Sequence, residues 1–221
     1  MKIDFTGKNI LVTGHSRGIG KVIYDSFKKS GGNVIGVSSA EIDFVDSLKT
    51  EIYAKELCLR IKFDILVNCA GINEISFSSS NSIGQIEQIN KMMNVNFYAP
   101  FIFSRAVLEN MMIKEHGRIV NIGSIYSSQA RTQRLGYISS KHALLGLTRS
   151  FSADFSDRNI FSNMVSPSIT YTEMTAKMMD DHEFSKVNPI YPSDIAPMVL
   201  FLCSENNTSI TGQNIIIDAN V

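Results

Sequence analysis

The chain has no net charge: among its 221 residues, 21 Lys plus Arg balance 21 Asp plus Glu. Such a balance provides no global field to draw in a polyanion, so nucleic acid and anionic membranes are not expected partners. Cysteine is scarce. Cys58, Cys69 and Cys203 are odd in number and show no CxxC pairing, which argues against a disulfide framework or a zinc site and suggests three reduced, mostly buried thiols. His15, His116, His142 and His182 lack ligand spacing, so no metal site is expected. No apolar run approaches the roughly eighteen residues that a membrane span needs. The opening Met1–Gly7 has neither the apolar core nor the cleavage site of a signal peptide, and the expected location is the cytoplasm. Repeats, low-complexity tracts and linkers are also missing. With 44% hydrophobic residues, the chain is expected to form one domain over residues 1–221 with a full core.

Against this plain background one stretch carries chemistry, Tyr137-Ile138-Ser139-Ser140-Lys141. Four residues advance a helix by about 400°, which puts the phenol and the ammonium on one face, a turn apart. A phenol beside a fixed cation is a candidate proton donor, because the cation favours the phenolate. Upstream, Lys8–Val12 reads as a short apolar strand running into Thr13-Gly14-His15-Ser16-Arg17-Gly18-Ile19-Gly20, and a helical pattern follows up to Gly31-Gly32. Strand, glycine turn and helix form the opening of a dinucleotide-binding unit, in which Gly14 allows the turn, Gly18 lets amides approach a pyrophosphate and Gly20 permits close packing.

The second strand, Asn33–Val37, ends at Ser38-Ser39, where many NAD-binding proteins place an acid for the adenosine ribose. Arg17 with the two serine hydroxyls suits a 2′-phosphate, so NADP(H) is favoured and NAD(H) is the second choice; Glu41 nearby counts against NADP(H). Only Ala40-Glu41-Ile42 separates this strand from Asp43–Asp46, too little for a crossover helix. A helix is expected over residues 47–61, a buried strand over Phe63–Val67 ending in Asn68-Cys69-Ala70-Gly71, and a serine-rich loop over residues 72–84. A long helix should run from about Gln85 to Met112, kinked by Pro100 and carrying Asn94 and Asn96 on an otherwise apolar element. Strands Gly117–Ile122, Ile160–Val165 and Gly212–Asp218 and a helix Ile195–Ser204 complete the pattern, with residues 175–191 as a short Met-rich lid. Arg131 and Arg134 read as solvated loop charges, with contact to an acidic or phosphorylated substrate as the alternative.

Together these residues resemble the short-chain dehydrogenases/reductases. The resemblance spans essentially the whole chain through six signatures in order: Thr13-Gly14-x3-Gly18-Ile19-Gly20, Asp43-x2-Asp46, Asn68-x-Ala70-Gly71, Asn96 in Val-Asn-Phe, Ser124 with Tyr137-x3-Lys141, and Pro167 leading to Thr172. It implies an α/β fold, a single Rossmann-type doubly wound parallel sheet of about seven strands with helices on both faces, and a homodimer or homotetramer. It further implies Tyr137 as proton donor or acceptor, Lys141 lowering its pKa and holding the nicotinamide ribose, Ser124 stabilising the substrate oxygen, and Asn96 holding a water that links Lys141 to solvent. On the cofactor it would place Gly14, Ser16, Arg17, Gly18, Ile19 and Gly20 at the pyrophosphate, Ser38 at the 2′ position, Asp43 near adenine, Asn68, Ala70 and Gly71 at the adenosine ribose, and Pro167, Ile169 and Thr172 at the nicotinamide end.

The implied activity is reduction of a ketone to a secondary alcohol, or the reverse, on a small-molecule or acyl-carrier-bound carbonyl substrate. Within the family the chain looks most like the 3-oxoacyl-carrier-protein reductases. A sugar or secondary-metabolite dehydrogenase would look much the same, and a nucleotide-binding sensor without turnover is the non-enzymatic alternative. Ser168 stands where the family has glycine most often, and the chain ends without the usual double glycine.

Overall fold

The apolar run Asn9–Thr13 forms the central strand β1, and β2 (Asn33–Val37) pairs with it in parallel on one side. The chain then crosses back, and β3 (Ile65–Asn68), β4 (Gly117–Ile122), β5 (Ile160–Pro167) and β6 (Asn214–Ile217) add in parallel on the other side, giving the order β2-β1-β3-β4-β5-β6. The computed structural model describes residues 3–76, 83–176, 179, 184 and 186–220. Near-continuous apolar runs in β3, β4 and β5 are buried along their whole length, as a sheet covered on both faces requires. Helices α1 (Gly18–Lys29) and the late helix Pro192–Cys203 supply one cover, with Ile23, Phe27, Ile195 and Val199 packing on Ile10, Val12 and Val67. The opposite face carries α2 (Ser47–Arg60), α4 (Ala99–Lys114) and α5 (Leu135–Phe155), with Ala54, Phe103, Val107 and Phe151 on Leu11, Leu66 and Ile119. The sheet is doubly wound, and its strand order reverses between β1 and β3, where the carboxyl ends open a crevice. No helix among the described residues is long and apolar enough to cross a membrane.

Two sequence expectations change here. About seven strands were expected, and the described residues form six: the strand outside β2 is missing. Residues 38–46 are too few for a crossover that returns to the sheet edge, so they turn directly into α2. Phe44 drops into the core against Phe103, and Asp46 caps α2 by accepting from the Lys49 amide at 3.0 Å. The long helix is also not a single kinked rod. Helix α3 (Gln85–Met93) gives way to a π-helical turn, Asn94–Tyr98, before α4 begins. Pro100 explains the break, because it lacks the N–H that the carbonyl of Asn96 needs and its ring presses on that carbonyl. The wider turn instead closes from the Ala99 amide to the Asn94 oxygen. Asn94 serves as a fastener, donating to the Val45 carbonyl at 2.8 Å.

At the amino ends of the strands, Arg118 is buried with its guanidinium on the carbonyls of Gly117, Asn159 and Asn207 and its charge over the Phe161 ring. Beside it, His116 lies 3.6 Å from Glu205, which also pairs with Lys8 at 2.7 Å. Burial first, then the Arg118 charge, hold the His116 imidazole below its usual range, against Glu205 and Asp64 and with Lys8. Its folded pKa therefore lies below the unfolded value near ~6.5, and the associated stability is complete above that value and is lost as pH falls. The melting temperature should drop between pH 7.5 and pH 5.5, and His116→Asn should flatten that drop. An equal drop in both proteins would show that His116 is not its source.

Candidate active site

The crevice between β1 and β3 is walled by two turns locked together. Thr13 Oγ1 accepts from the amides of Cys69 and Ala70 at 3.2 and 3.3 Å, which ties the glycine turn to Asn68-Cys69-Ala70-Gly71. Gly14 has φ +72°, and a Cβ there would lie 2.6 Å from the Ala70 nitrogen. At Gly20 a Cβ would sit 2.2 Å from the Gly14 oxygen, so both positions require glycine. Helix α1 opens at Gly18 with Arg17 as an N-cap whose side chain makes no capping bond, and with no acid in its first turn. Its leading N–H groups are left for an external acceptor, which fits a pyrophosphate. The cleft, of about 370 Å³, is lined on this side by Gly14, Ser16, Arg17, Gly18, Ile19 and Gly20, and Thr172 lies opposite Gly18.

At the far end Ser38, Ser39 and Asp43 line the cleft. The Ser38 amide and hydroxyl both donate to one Glu41 oxygen, at 2.7 and 2.8 Å. The Ser38 hydroxyl, ahead of the other contacts, holds the Glu41 carboxyl below its usual range. One of the two serine hydroxyls expected to receive a 2′-phosphate is thus committed to a carboxylate.

Asn68 itself is not among the residues that line the cleft. Its buried amide turns into the sheet and donates to Asn121 Oδ1 at 2.9 Å and Ser104 Oγ at 3.2 Å. Asn121 in turn donates to Thr148 Oγ1 at 2.9 Å, so a polar chain runs from β3 through β4 to α5. Ala70 and Gly71 do line the cleft. Pro167 and Ile169 are not part of its wall. Pro167 ends β5 in register with Ile217, and the Ile169 carbonyl accepts the Ile190 amide at 3.0 Å. The lid and serine-loop expectations at residues 77–82, 177–178, 180–183 and 185 lie outside the described residues.

Ser124, after β4, and Tyr137, on α5, come together, with the Ser124 hydroxyl near enough to the phenol to favour its ionised form. Lys141 lies 5.8 Å from the centre of the Tyr137 ring, and its Nζ donates to the Ile122 carbonyl at 2.8 Å. Burial depresses the Lys141 ammonium to about 8, with Cys69 opposing. Burial also pushes the Tyr137 phenol up, with the nearby Ser124 hydroxyl opposing. The expected lowering of Tyr137 by Lys141 is therefore not the dominant effect in this environment.

Asn96 sits beneath this group in the π-turn, fully buried. Its Oδ1 accepts from the Ile72 amide at 2.9 Å, while its Nδ2 donates to the Ile72 carbonyl at 2.9 Å and to Ser140 Oγ at 3.0 Å. The side chain thus fastens the turn after Gly71 to α5, while the backbone carbonyl of Asn96 is the one whose ordinary helical partner is Pro100. Ser140, Ser127 and Thr148 were not anticipated in these networks. Ser127 Oγ accepts from the Ser124 amide at 3.1 Å, and a capping box would have been the signal.

Known proteins resemble this chain along nearly its whole length. A family model described as enoyl-(acyl carrier protein) reductase matches residues 59–219. The chain is 32% identical to the 3-oxoacyl-[acyl-carrier-protein] reductase FabG of Rickettsia felis, over 98% of this chain and 97% of that protein. It is also similar to the solved structure of 4-hydroxyisoleucine dehydrogenase complexed with NADH, at TM-score 0.88 and 30% identity over 97% of this chain and 98% of that one. ElxO with NADP bound matches at TM-score 0.83 and 28% identity, over 96% and 97% of the two chains. As a check on the buried polar chain, Thr148→Val should cost about 1–3 kcal/mol by leaving the Asn121 amide short of a partner. Urea unfolding would measure this, and an unchanged midpoint would mean that the chain from β3 to α5 is not stabilising.

Proposed function

Because the chain belongs to the short-chain dehydrogenase/reductase family, we propose that it reduces a ketone to a secondary alcohol, or runs the reverse, with a nicotinamide cofactor. The reading is carried by the convergence of Ser124, Tyr137 and Lys141 on a cleft whose other wall is an uncapped helix N-terminus. The cofactor, when bound, supplies or accepts the hydride. Gly14, Ser16, Arg17, Gly18, Ile19 and Gly20 would hold its phosphates, Asp43, Ala70 and Gly71 its adenosine half, and Lys141 and Thr172 the other end.

In reduction the Tyr137 hydroxyl donates its proton to the carbonyl oxygen. Ser124 donates a hydrogen bond to the same oxygen as charge grows on it, a contribution of about 3 kcal/mol where such donors have been removed. Lys141 in its charged form favours the phenolate left behind. The carbonyl of Asn96, deprived by Pro100 of its usual donor, is placed to hold the water that returns the proton.

NADP(H) is the proposed preference, resting on Arg17, with NAD(H) the second. The Glu41 carboxylate opposes a 2′-phosphate, which keeps the preference modest. A 3-oxoacyl group on a carrier is the first substrate class to test, and sugars, other secondary alcohols and a sensor without turnover are the alternatives. A homodimer or homotetramer built through α4 and α5 is proposed as well, supported by the exposed Tyr98 and Ile113.

Tyr137→Phe should lower kcat by about 10²- to 10⁴-fold while NADPH still binds, as followed by its fluorescence. Tight cofactor binding without turnover by the wild type on a broad ketone panel would instead favour the sensor. The reduction rate should fall above about pH 8, as the Lys141 ammonium loses its proton. Arg17→Ala should raise KM for NADPH more than that for NADH, and Glu41→Gln should improve NADPH relative to NADH. If neither substitution moves the ratio, the 2′ position is read elsewhere.

A further inference from the structure

The chain is neutral overall, but its acids are unevenly spread. Between residues 116 and 153 there is no Asp or Glu, while Arg118, Arg131, Arg134, Lys141 and Arg149 all fall there, along with Ser124 and Tyr137. Most of these cations are committed or remote. Arg118 is buried at the opposite end of the sheet, Lys141 holds the Ile122 carbonyl, and Arg131 donates to the Tyr126 hydroxyl at 2.8 Å. Arg149 is exposed well along α5.

Arg134 differs from the others. It is the N-cap residue of α5, three positions before Tyr137, and is half-buried. Its guanidinium has one long contact, 3.5 Å to the neighbouring Gln133 carbonyl, and no carboxylate pairs with it among the described residues. The backbone that carries it is firmly held. Gln133 turns the chain at φ +61° and accepts the Ser76 amide at 3.1 Å, the Arg134 carbonyl accepts the Ile138 amide at 2.8 Å, and Ser76 Oγ accepts the Gly136 amide at 3.0 Å. The charge also reaches the Tyr137 phenol, whose ionised form it favours. Glu74, the acid on the facing loop, is occupied by Lys91 at 2.7 Å. A partly desolvated guanidinium with its donors unspent favours an incoming planar anion that can take two of them at once.

We propose that Arg134 sets substrate specificity at this site by binding a carboxylate carried close to the reacting carbon, which makes small oxo acids and hydroxy acids the substrate class. The proposal rests on the oxidoreductase reading and narrows it. A carrier-bound acyl chain also brings an anion, the phosphate of its pantetheine arm, but that phosphate lies the length of the arm away from the reacting carbonyl. Arg134 stands one helical turn from the proton donor, so its anion belongs to the substrate itself.

The test is a panel of 2-, 3- and 4-oxo acids, each assayed with NADPH and with NADH beside its neutral ethyl ester, together with acetoacetyl-CoA and the neutral acetoacetyl-N-acetylcysteamine. At least one free acid should show a KM about tenfold or more below that of its ester. Arg134→Gln should erase most of that difference and Arg134→Lys should restore part of it, while Arg131→Gln should leave it in place. Propionate should inhibit ester reduction competitively in the wild type and lose that effect in Arg134→Gln. Several results would overturn the proposal: esters used as well as acids, a preference for the CoA ester alone, or an equal loss on acid and ester in Arg134→Gln with a displaced pH profile. The last would mean that Arg134 acts only through Tyr137. No turnover by the wild type on any compound, esters included, would overturn the oxidoreductase reading and this proposal with it.

Discussion

One buried amide joins the parts of this site. Asn96 holds the backbone of Ile72 by both of its polar atoms and reaches Ser140 with a second proton, so the turn that forms the cleft floor and the helix that carries Tyr137 and Lys141 are fixed to the same side chain. Few other arrangements could place it there. In a regular helix the residue would ride on a continuous cylinder. The π-turn forced by Pro100 widens the backbone at that point and sets the amide between two elements that never meet in sequence. An interaction of this kind is costly to leave half made, because each of these groups is withdrawn from water.

A second tier of contacts keeps the two halves of the crevice in register. Thr13 bridges the glycine turn to the Cys69–Ala70 amides, and the Asn68–Asn121–Thr148 chain crosses from β3 to α5. Thr13, Asn68 and Asn121 lie at or near the carboxyl ends of largely apolar strands. Buried polar groups there need specific partners, which favours one packing of the top of the sheet over several.

Much of this was legible from residue order. Apolar runs in β1, β3, β4 and β5 announced a sheet covered on both faces, the glycine spacing announced the turn, and the one-turn offset of Tyr137 and Lys141 announced a shared helix face. The misses have physical causes. The resemblance implied Asn68 at the ribose, but in a strand the side-chain direction is set by pleat and register, and here the side chain points inward. The wide turn at Asn94–Tyr98 depends on how the chain absorbs a missing donor, and a proline shows where the strain falls but not how it is relieved. The Glu41 carboxylate was seen as a nuisance to a phosphate, yet the two hydrogen bonds it accepts from Ser38 depend on a tight turn that residue order alone does not specify.

The loss of the outermost strand has a further consequence for how firmly the two ends of the cleft are held. With 33 and 37 bonded toward β1, the alternation of a parallel ladder turns the backbone groups of Val34 and Gly36 outward, where no further strand meets them. The Ser38 side of the crevice is therefore mounted on the rim of the sheet, whereas Ser124 follows an interior strand flanked on both sides. Local openings should begin at the rim, so the Ser38 end can loosen and re-form while the end that holds Ser124 and Tyr137 stays assembled.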